Sequence, residues 1–336
     1  MAGRALAFSN PEMVRLAREE FIPVAADDWY QRRREDAEGE FFRSVADQGP
    51  RKGQGGSTRQ GIYCLTASGR LLAYRNAADP QVMIEVLREA LTAWSKLPRG
   101  ERAAGSVNVP PLNAEDLDER YARAPPQGGL ILKVHARVLE QDEAGEYRAC
   151  TGDDTGYGGQ AASTDHLWIT EEEWRELIPA KPRPNDVFDM PAAIARRIAR
   201  YHLVDNTRGE PPFWRQEEIR SLRVTLRVER ADDAEVLLRI EGNVLLSTEV
   251  GPDLADRGYE AALSGHLRYD VDRDAISEIE LLVLGEHWGE GPFTGGARPG
   301  RTPLGVAFLL TTGEHPADRI APQGMRDHWE YLSTGP

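Results

Sequence analysis

The feature that most constrains the fold is a set of long runs near the C-terminus in which apolar and polar residues alternate. This alternation has a period of two, which places all apolar side chains of a strand on one face of a sheet. Asp-rich turns at 231–233 and 270–274 separate neighbouring runs. The pattern predicts an antiparallel β meander, closed or half-closed into a barrel or sandwich. The runs cover residues 221–228, 236–244, 259–269, 276–284 and 304–310.

The residues before this meander show both strand-like and helix-like periodicity. A strand is predicted at 130–140, with 146–150 as its partner. Thr170 and Glu173 form a capping-box pair, which predicts a short helix. A second helix is predicted from 189, with an apolar stripe that ends near residue 201. The C-terminal portion is therefore expected to be α+β.

The N-terminal third has a different order of elements. It predicts a strand at 4–8, a helix, a strand at 21–26 and a second helix. A hairpin over 61–74 and a helix that begins at Asp79 and Pro80 follow. The resulting order is strand, helix, strand, helix, hairpin, helix.

This order, with Phe8-Ser9-Asn10-Pro11-Glu12 after the first strand and Leu65-Thr66-Ala67-Ser68-Gly69-Arg70-Leu71-Leu72 across the hairpin, resembles the thioredoxin-like superfamily. The resemblance covers roughly the first hundred residues and implies an α/β domain. Members carry Cys-x-x-Cys where this chain has residues 9–12, and a cis-proline where it has Gln60 and Gly61. Both departures imply that dithiol redox chemistry is absent.

A chain of 336 residues is long enough for two or three domains. Residues 98–129 contain two Pro-Pro pairs and an acidic stretch, which is typical of a linker. The expected organisation is a thioredoxin-like domain at 1–97, the linker, and an α+β domain at 130–336 that ends in the meander.

The formal net charge of -14 excludes some classes of partner. It disfavours nucleic acid and anionic membrane surfaces, so a small molecule or another protein is the expected partner. Nearly all basic residues are Arg, which is typical of a high-GC bacterial genome. The first residues lack the apolar core of a signal peptide, so a cytoplasmic location is expected unless a leader precedes them. The two cysteines, Cys64 and Cys150, form no close pair.

Three segments are rich in residues that carry chemistry: 165–168, 202–214 and 285–301. In the second, His202 and Asp205 are one helical turn apart and could share a proton or a metal, while Arg208 could hold an anion. These three are the predicted catalytic residues. The alternative is that His202 caps a helix and Asp205 forms a turn.

His166, His202 and His287 could together supply a three-histidine site for a divalent transition metal. No pair among them has the spacing of a known metal motif. A bolder hypothesis places His202, Asp205, Arg208 and His287 in one pocket, because buried polar groups must find partners.

The leading functional hypothesis is an enzyme that binds a small molecule or a metal in the C-terminal domain. The alternative is a non-catalytic scaffold that docks a partner through a redox-inactive thioredoxin-like domain. Thiol redox chemistry through Cys64 or Cys150 ranks last.

Overall fold

The structure is a computed structural model that divides the chain into two compact units, one up to Arg123 and one from Ala124 onward. It describes residues 8, 10–53, 57–77, 79–103, 107–108, 113–121, 123–150, 162–249, 256–326 and 329–332. Among these residues, no helix has the length and apolar character needed to cross a bilayer. The division falls inside the predicted linker. The backbone N–H of Asp118 donates to Asp36, so part of the linker segment packs on the first unit.

The first unit is mainly helical. The first four of its helices begin where a side chain satisfies the free N–H groups of the first turn: Asn10, Asp27, Asp36 and Asp79 each accept such bonds. The helices are α1 (Pro11–Glu20), α2 (Asp28–Gln31), α3 (Ala37–Ala46), α4 (Pro80–Ser95) and α5 (Arg99–Arg102).

The predicted hairpin is confirmed, as β1 (Ile62–Leu65) paired with β2 (Leu71–Arg75). Helices α1 and α4 pack their apolar stripes against it. The strand predicted at 21–26 is not formed, and Ile22 and Val24 lie exposed. The strand predicted at 4–8 lies almost wholly outside the described residues. The described part of this unit contains a two-stranded sheet, and the thioredoxin-like resemblance stays a prediction.

The second unit is built on a nine-stranded antiparallel sheet, and the predicted meander is confirmed within it. Two of its strands, at 162–169 and 187–189, were not predicted. The strands are β3 (Leu130–Gln141), β4 (Tyr147–Ala149), β5 (Ala162–Ile169), β6 (Val187–Asp189), β7 (Ile219–Ala231), β8 (Glu235–Ser247), β9 (Arg257–Asp270), β10 (Ala275–Gly289) and β11 (Thr302–Thr311).

The sheet is open, so the predicted barrel or sandwich is corrected. The strand order is β4-β3-β11-β10-β9-β8-β7-β6, and β5 pairs with β3 on the same edge as β4. The end strands β5 and β6 do not pair with each other in the described residues, and the described strands of this unit form a single sheet. Helical and irregular segments bury the apolar face instead.

The main covering element is one helical segment. It begins as α7 (Ala192–Arg197) and continues as a π-helical turn at Ile198–His202, after the short capped helix α6 (Glu171–Arg175). Ile194, Ile198 and Tyr201 are buried on the sheet face, as the predicted stripe requires. A buried run from Leu203 to Arg208 follows, and short 3-10 turns at Gln323–Met325 and Trp329–Leu332 complete the cover.

Candidate functional site

The segment that carries the predicted catalytic residues leaves the helix at His202. The next residue, Leu203, has φ -87° and ψ 58°, so the helix does not continue to Asp205. His202 and Asp205 therefore do not share one helical face, and their side chains enter two different groups of residues.

His202 belongs to a buried group that ties down the C-terminal segment. Its Nε2 lies 2.7 Å from the hydroxyl of Tyr331, and its Nδ1 lies 3.3 Å from Oδ2 of Asp165. The distance between Nδ1 and Oδ2 is that of an ion pair, but the angle at this contact is too poor for a hydrogen bond. Burial opposes ionisation of Asp165, but His202 and backbone N–H groups outweigh it and lower the pKa of this carboxyl.

Asp205 forms a separate group with Thr207 and Arg208. Its Oδ1 accepts from the backbone N–H and the hydroxyl of Thr207, at 3.1 and 2.5 Å. Its Oδ2 accepts from Nε of Arg208 at 2.6 Å, and both partners are buried. Burial opposes ionisation here too, but His287, Arg208 and Thr207 outweigh it and lower the pKa of Asp205.

Arg208 connects this group to the end of β10. Its Nη1 donates to the carbonyl of Thr294, and its Nη2 donates to the carbonyl of Gly289 at 3.0 Å. Gly289 has φ +78°, and a Cβ there would lie 1.7 Å from the carbonyl oxygen of Asp256. This glycine allows the backbone to turn away from the sheet beside Arg208. The two hydrogen bonds from the guanidinium then hold the loop at 289–294.

His287 projects from β10 on the buried face of the sheet, opposite Tyr259 on one side and Thr302 on the other. Its side chain is buried and makes no hydrogen bond within the part of the chain that the structure describes. Burial, the largest cause, lowers the pKa of His287 to about 4, and nearby arginine charges add to the shift while Asp205 opposes it. The imidazole is therefore neutral at pH 7.

Asp205, Arg208 and His287 line two small spaces, which together we call the His287 cleft. One of these spaces, the Arg298 side, is also lined by Arg298 and Thr302. It has about 10 Å³ open to a water-sized molecule, enough for about one water. The Arg257 side is lined by Trp214, Arg257 and Thr294 among others, and leaves no such space.

The structure thus brings together three of the four residues predicted to share a pocket: Asp205, Arg208 and His287. The fourth, His202, lies over Phe308, with ring centroids 6.1 Å apart. Phe308 is about 20 Å along β11 from Thr302, the neighbour of His287. Both imidazoles face the same side of the sheet, but His202 is outside the cleft.

The predicted three-histidine metal site is not assembled. His166 projects from β5 on the face opposite Asp165, the neighbour of His202, because successive strand residues alternate. Burial lowers the pKa of His166, and its Nε2 has no hydrogen-bond partner in the described residues. No group of three His, Cys, Asp or Glu side chains among the described residues is arranged to hold a metal.

Sequence reasoning missed two residues of this region. Tyr331 carried no signal, because it follows the last predicted element. Arg257 opens β9, and nothing in the neighbouring sequence distinguished it from the other arginines. The clustering of Gly, His and Trp at 285–291 was the informative signal for His287.

Both cysteines are buried. Burial raises the pKa of Cys64 to about 12, with a further contribution from Glu89, so this thiol is protonated at neutral pH. Comparison of the chain with protein-family models, with curated proteins and with solved structures found no match.

Proposed function

We propose that the second unit is an enzyme domain that acts on a small molecule at the His287 cleft, with His287 as the proton acceptor. The observation that supports this most is the buried imidazole of His287, which is neutral and has no hydrogen-bond partner in the described residues. Its ring nitrogens are not among the fully buried side-chain atoms that lack a partner, so they reach the small space of the cleft. A substrate proton or a bound water supplies the missing partner.

The neighbouring ion pair has a positioning role in this proposal. Asp205 fixes the guanidinium of Arg208 through Nε, and Arg208 fixes the loop at 289–294 through two carbonyls. Together they set the wall of the cleft that faces His287. His202 contributes to the stability of the unit rather than to the reaction.

The test is a panel of chromogenic substrates from different classes: p-nitrophenyl acetate, p-nitrophenyl phosphate and p-nitrophenyl glycosides. We expect turnover of at least one class, reduced by a factor of about 100 or more in His287→Gln, as is usual for a lost general base. The matched control is His266→Gln, because His266 lies on β9 and is far more exposed.

Turnover by His287→Gln equal to that of the wild type would contradict the role of His287. Absence of turnover with every class would contradict the enzymatic proposal and favour the scaffold alternative.

A further inference from the structure

Arg257 is the most unusual charged side chain of the second unit. It is only 5% exposed, yet its single side-chain hydrogen bond among the described residues is from Nη1 to the carbonyl of Pro212, at 2.8 Å. Its Nε is buried without a partner, and no described carboxylate lies within ion-pair distance. A guanidinium has five N–H donors, so this cation is far from satisfied.

The other buried arginines of this unit show the contrast. Arg197 makes two contacts to Glu173 and two to backbone carbonyls, and Arg208 contacts Asp205 and two carbonyls. A buried charge without a counter-ion is strongly unfavourable, which is why buried arginines are normally paired. Burial accordingly lowers the pKa of Arg257, with only a partial offset from Glu218.

The surroundings of Arg257 fix its position without neutralising it. The guanidinium carbon lies 4.0 Å from the ring centroid of Trp214, and the indole N–H of Trp214 donates to Leu203 at 2.7 Å. The one carboxylate of the cleft, Asp205, is already occupied by Arg208 and Thr207. The cleft therefore combines Arg257, Arg208 and Arg298 with a single carboxylate and a neutral imidazole.

We infer that the Arg257 side of the His287 cleft is a binding site for a compact anionic group, a carboxylate or a phosphoryl group, carried by the ligand of this unit. The inference rests on the proposed function, since it names the substrate class for the same cleft. The unpaired donors of Arg257 bind the anion, and the bound charge lies on the side of the cleft that His287 also lines. Such an anion favours the imidazolium and makes His287 a stronger base when substrate is present.

The cleft must open for this to occur, because its Arg257 side has no room for a water-sized molecule as it stands. Thr294 forms one wall, and it belongs to a loop with glycines at 289, 291, 295 and 296. The loop is held through the hydroxyl of Thr294, which accepts from the backbone N–H of Gly291 at 2.8 Å, and through the Arg208 contact. Binding therefore involves outward movement of this loop.

The test is thermal unfolding of the full chain with and without inorganic phosphate or sodium acetate, at constant ionic strength set by sodium chloride. We expect at least one of the two anions to raise the Tm of the wild type in a saturable manner. In Arg257→Gln the rise should be abolished, while the Tm without anion should equal or exceed that of the wild type, because an uncompensated charge has been removed. Arg301→Gln is the matched control, since Arg301 also stacks on a tryptophan but is paired with Glu260 and lies outside the cleft.

The two anions distinguish a phosphoryl ligand from a carboxylate ligand. Absence of a saturable rise with either anion overturns the inference, and so does an equal rise in Arg257→Gln. A lower Tm of Arg257→Gln without anion, combined with no anion effect on the wild type, would assign Arg257 a purely structural role. The chromogenic panel tests the proposed function independently of this result. If His287→Gln loses turnover but no anion stabilises the wild type, the enzymatic proposal is supported and the anion site is contradicted.

Discussion

Single residues of the His287 cleft differ in how they respond to acid. Burial lowers the pKa of His287 to about 4, while an unfolded chain leaves a histidine near 6.5. The pKa of Asp205 in the cleft, and that of Asp165 beside His202, lie below the usual 3.8 of an aspartate, so these two carboxyl groups are protonated only in stronger acid. Between pH 6.5 and 4 the titration of His287 is therefore separated from that of both.

In that window the unfolded state takes up the His287 proton before the folded state does. Stability is then fully present above pH 6.5 and is lost as the pH falls toward 4, by at most about 3 kcal/mol. We expect the free energy of unfolding of the wild type, from urea titrations, to fall more steeply over this range than that of His287→Gln. His166→Gln is a control for the second buried histidine, and equal slopes for wild type and His287→Gln would contradict the assignment.

Arg208 allows a test of geometry at constant charge. Arg208→Lys keeps a cation beside Asp205 but cannot contact Thr294 and Gly289 at the same time, since an ammonium lacks the planar fork. We predict a loss of about 1–3 kcal/mol in the free energy of unfolding. Faster amide hydrogen exchange should accompany it at 289–294. Arg15→Lys, in an exposed pair with Glu19, should change neither measurement.

How far the site could be predicted depends on the residue. Asp205, Arg208 and His287 were identifiable because polar side chains among Gly and Trp are unusual in segments that fold into elements. Their separation from His202 was not predictable, since it depends on the backbone turn at Leu203. Arg257 could not be identified from the sequence. Its importance depends on a side-chain nitrogen that lacks a hydrogen-bond partner, and only the folded structure shows which partners a side chain has.

At the scale of elements, periodicity predicted the five long strands of the meander, and all five are present within a few residues of their expected ends. The strand β5 was missed because Asp165 and His166 interrupt the apolar pattern, although both are buried. The run at 21–26 is apolar but forms no strand, and none of the described strands pairs with it.

The contact between α6 and α7 gives a prediction at this scale. Arg197 on α7 contacts Glu173 on α6, donates to Trp168 on β5 at 3.1 Å, and donates to Tyr331 near the C-terminus at 2.6 Å. Arg197→Met leaves a buried carboxylate without its cation, so we expect a loss of about 3–5 kcal/mol in the free energy of unfolding.

The double variant Arg197→Met with Glu173→Leu separates the contribution of the ion pair to stability from that of the hydrogen bonds of Arg197 to backbone carbonyls. It should recover a large part of the loss, because neither charge is then buried alone. A double variant as unstable as the single one would show that the carbonyl contacts to Trp168 and Tyr331, rather than the ion pair, dominate.

At the scale of the whole molecule, the chain is two units, each with its own buried core. The Pro-rich stretch at 98–129 predicts a linker, and this stays a prediction. The topology of the sheet could not be predicted because strand order depends on long-range pairing. The prediction of a closed sheet was wrong. Alternating apolar and polar residues indicate which face of a sheet is buried, but they do not indicate what covers that face.

Limited proteolysis tests the separation. We expect the first cuts between residues 98 and 129, and a C-terminal fragment that starts in this range and stays resistant. Mass spectrometry of the early fragments identifies the sites. First cuts within β7 to β11 would contradict the division.

The central claim is that His287 is a buried, neutral imidazole available for proton transfer. The direct measurement is an NMR pH titration of the histidine side-chain signals, with the His287 resonance assigned from its absence in His287→Gln. We predict a single neutral form from pH 8 down to about 5 and a pKa of about 4. A pKa at or above 6.5 would show that the imidazole is solvated or ion-paired and would contradict the claim.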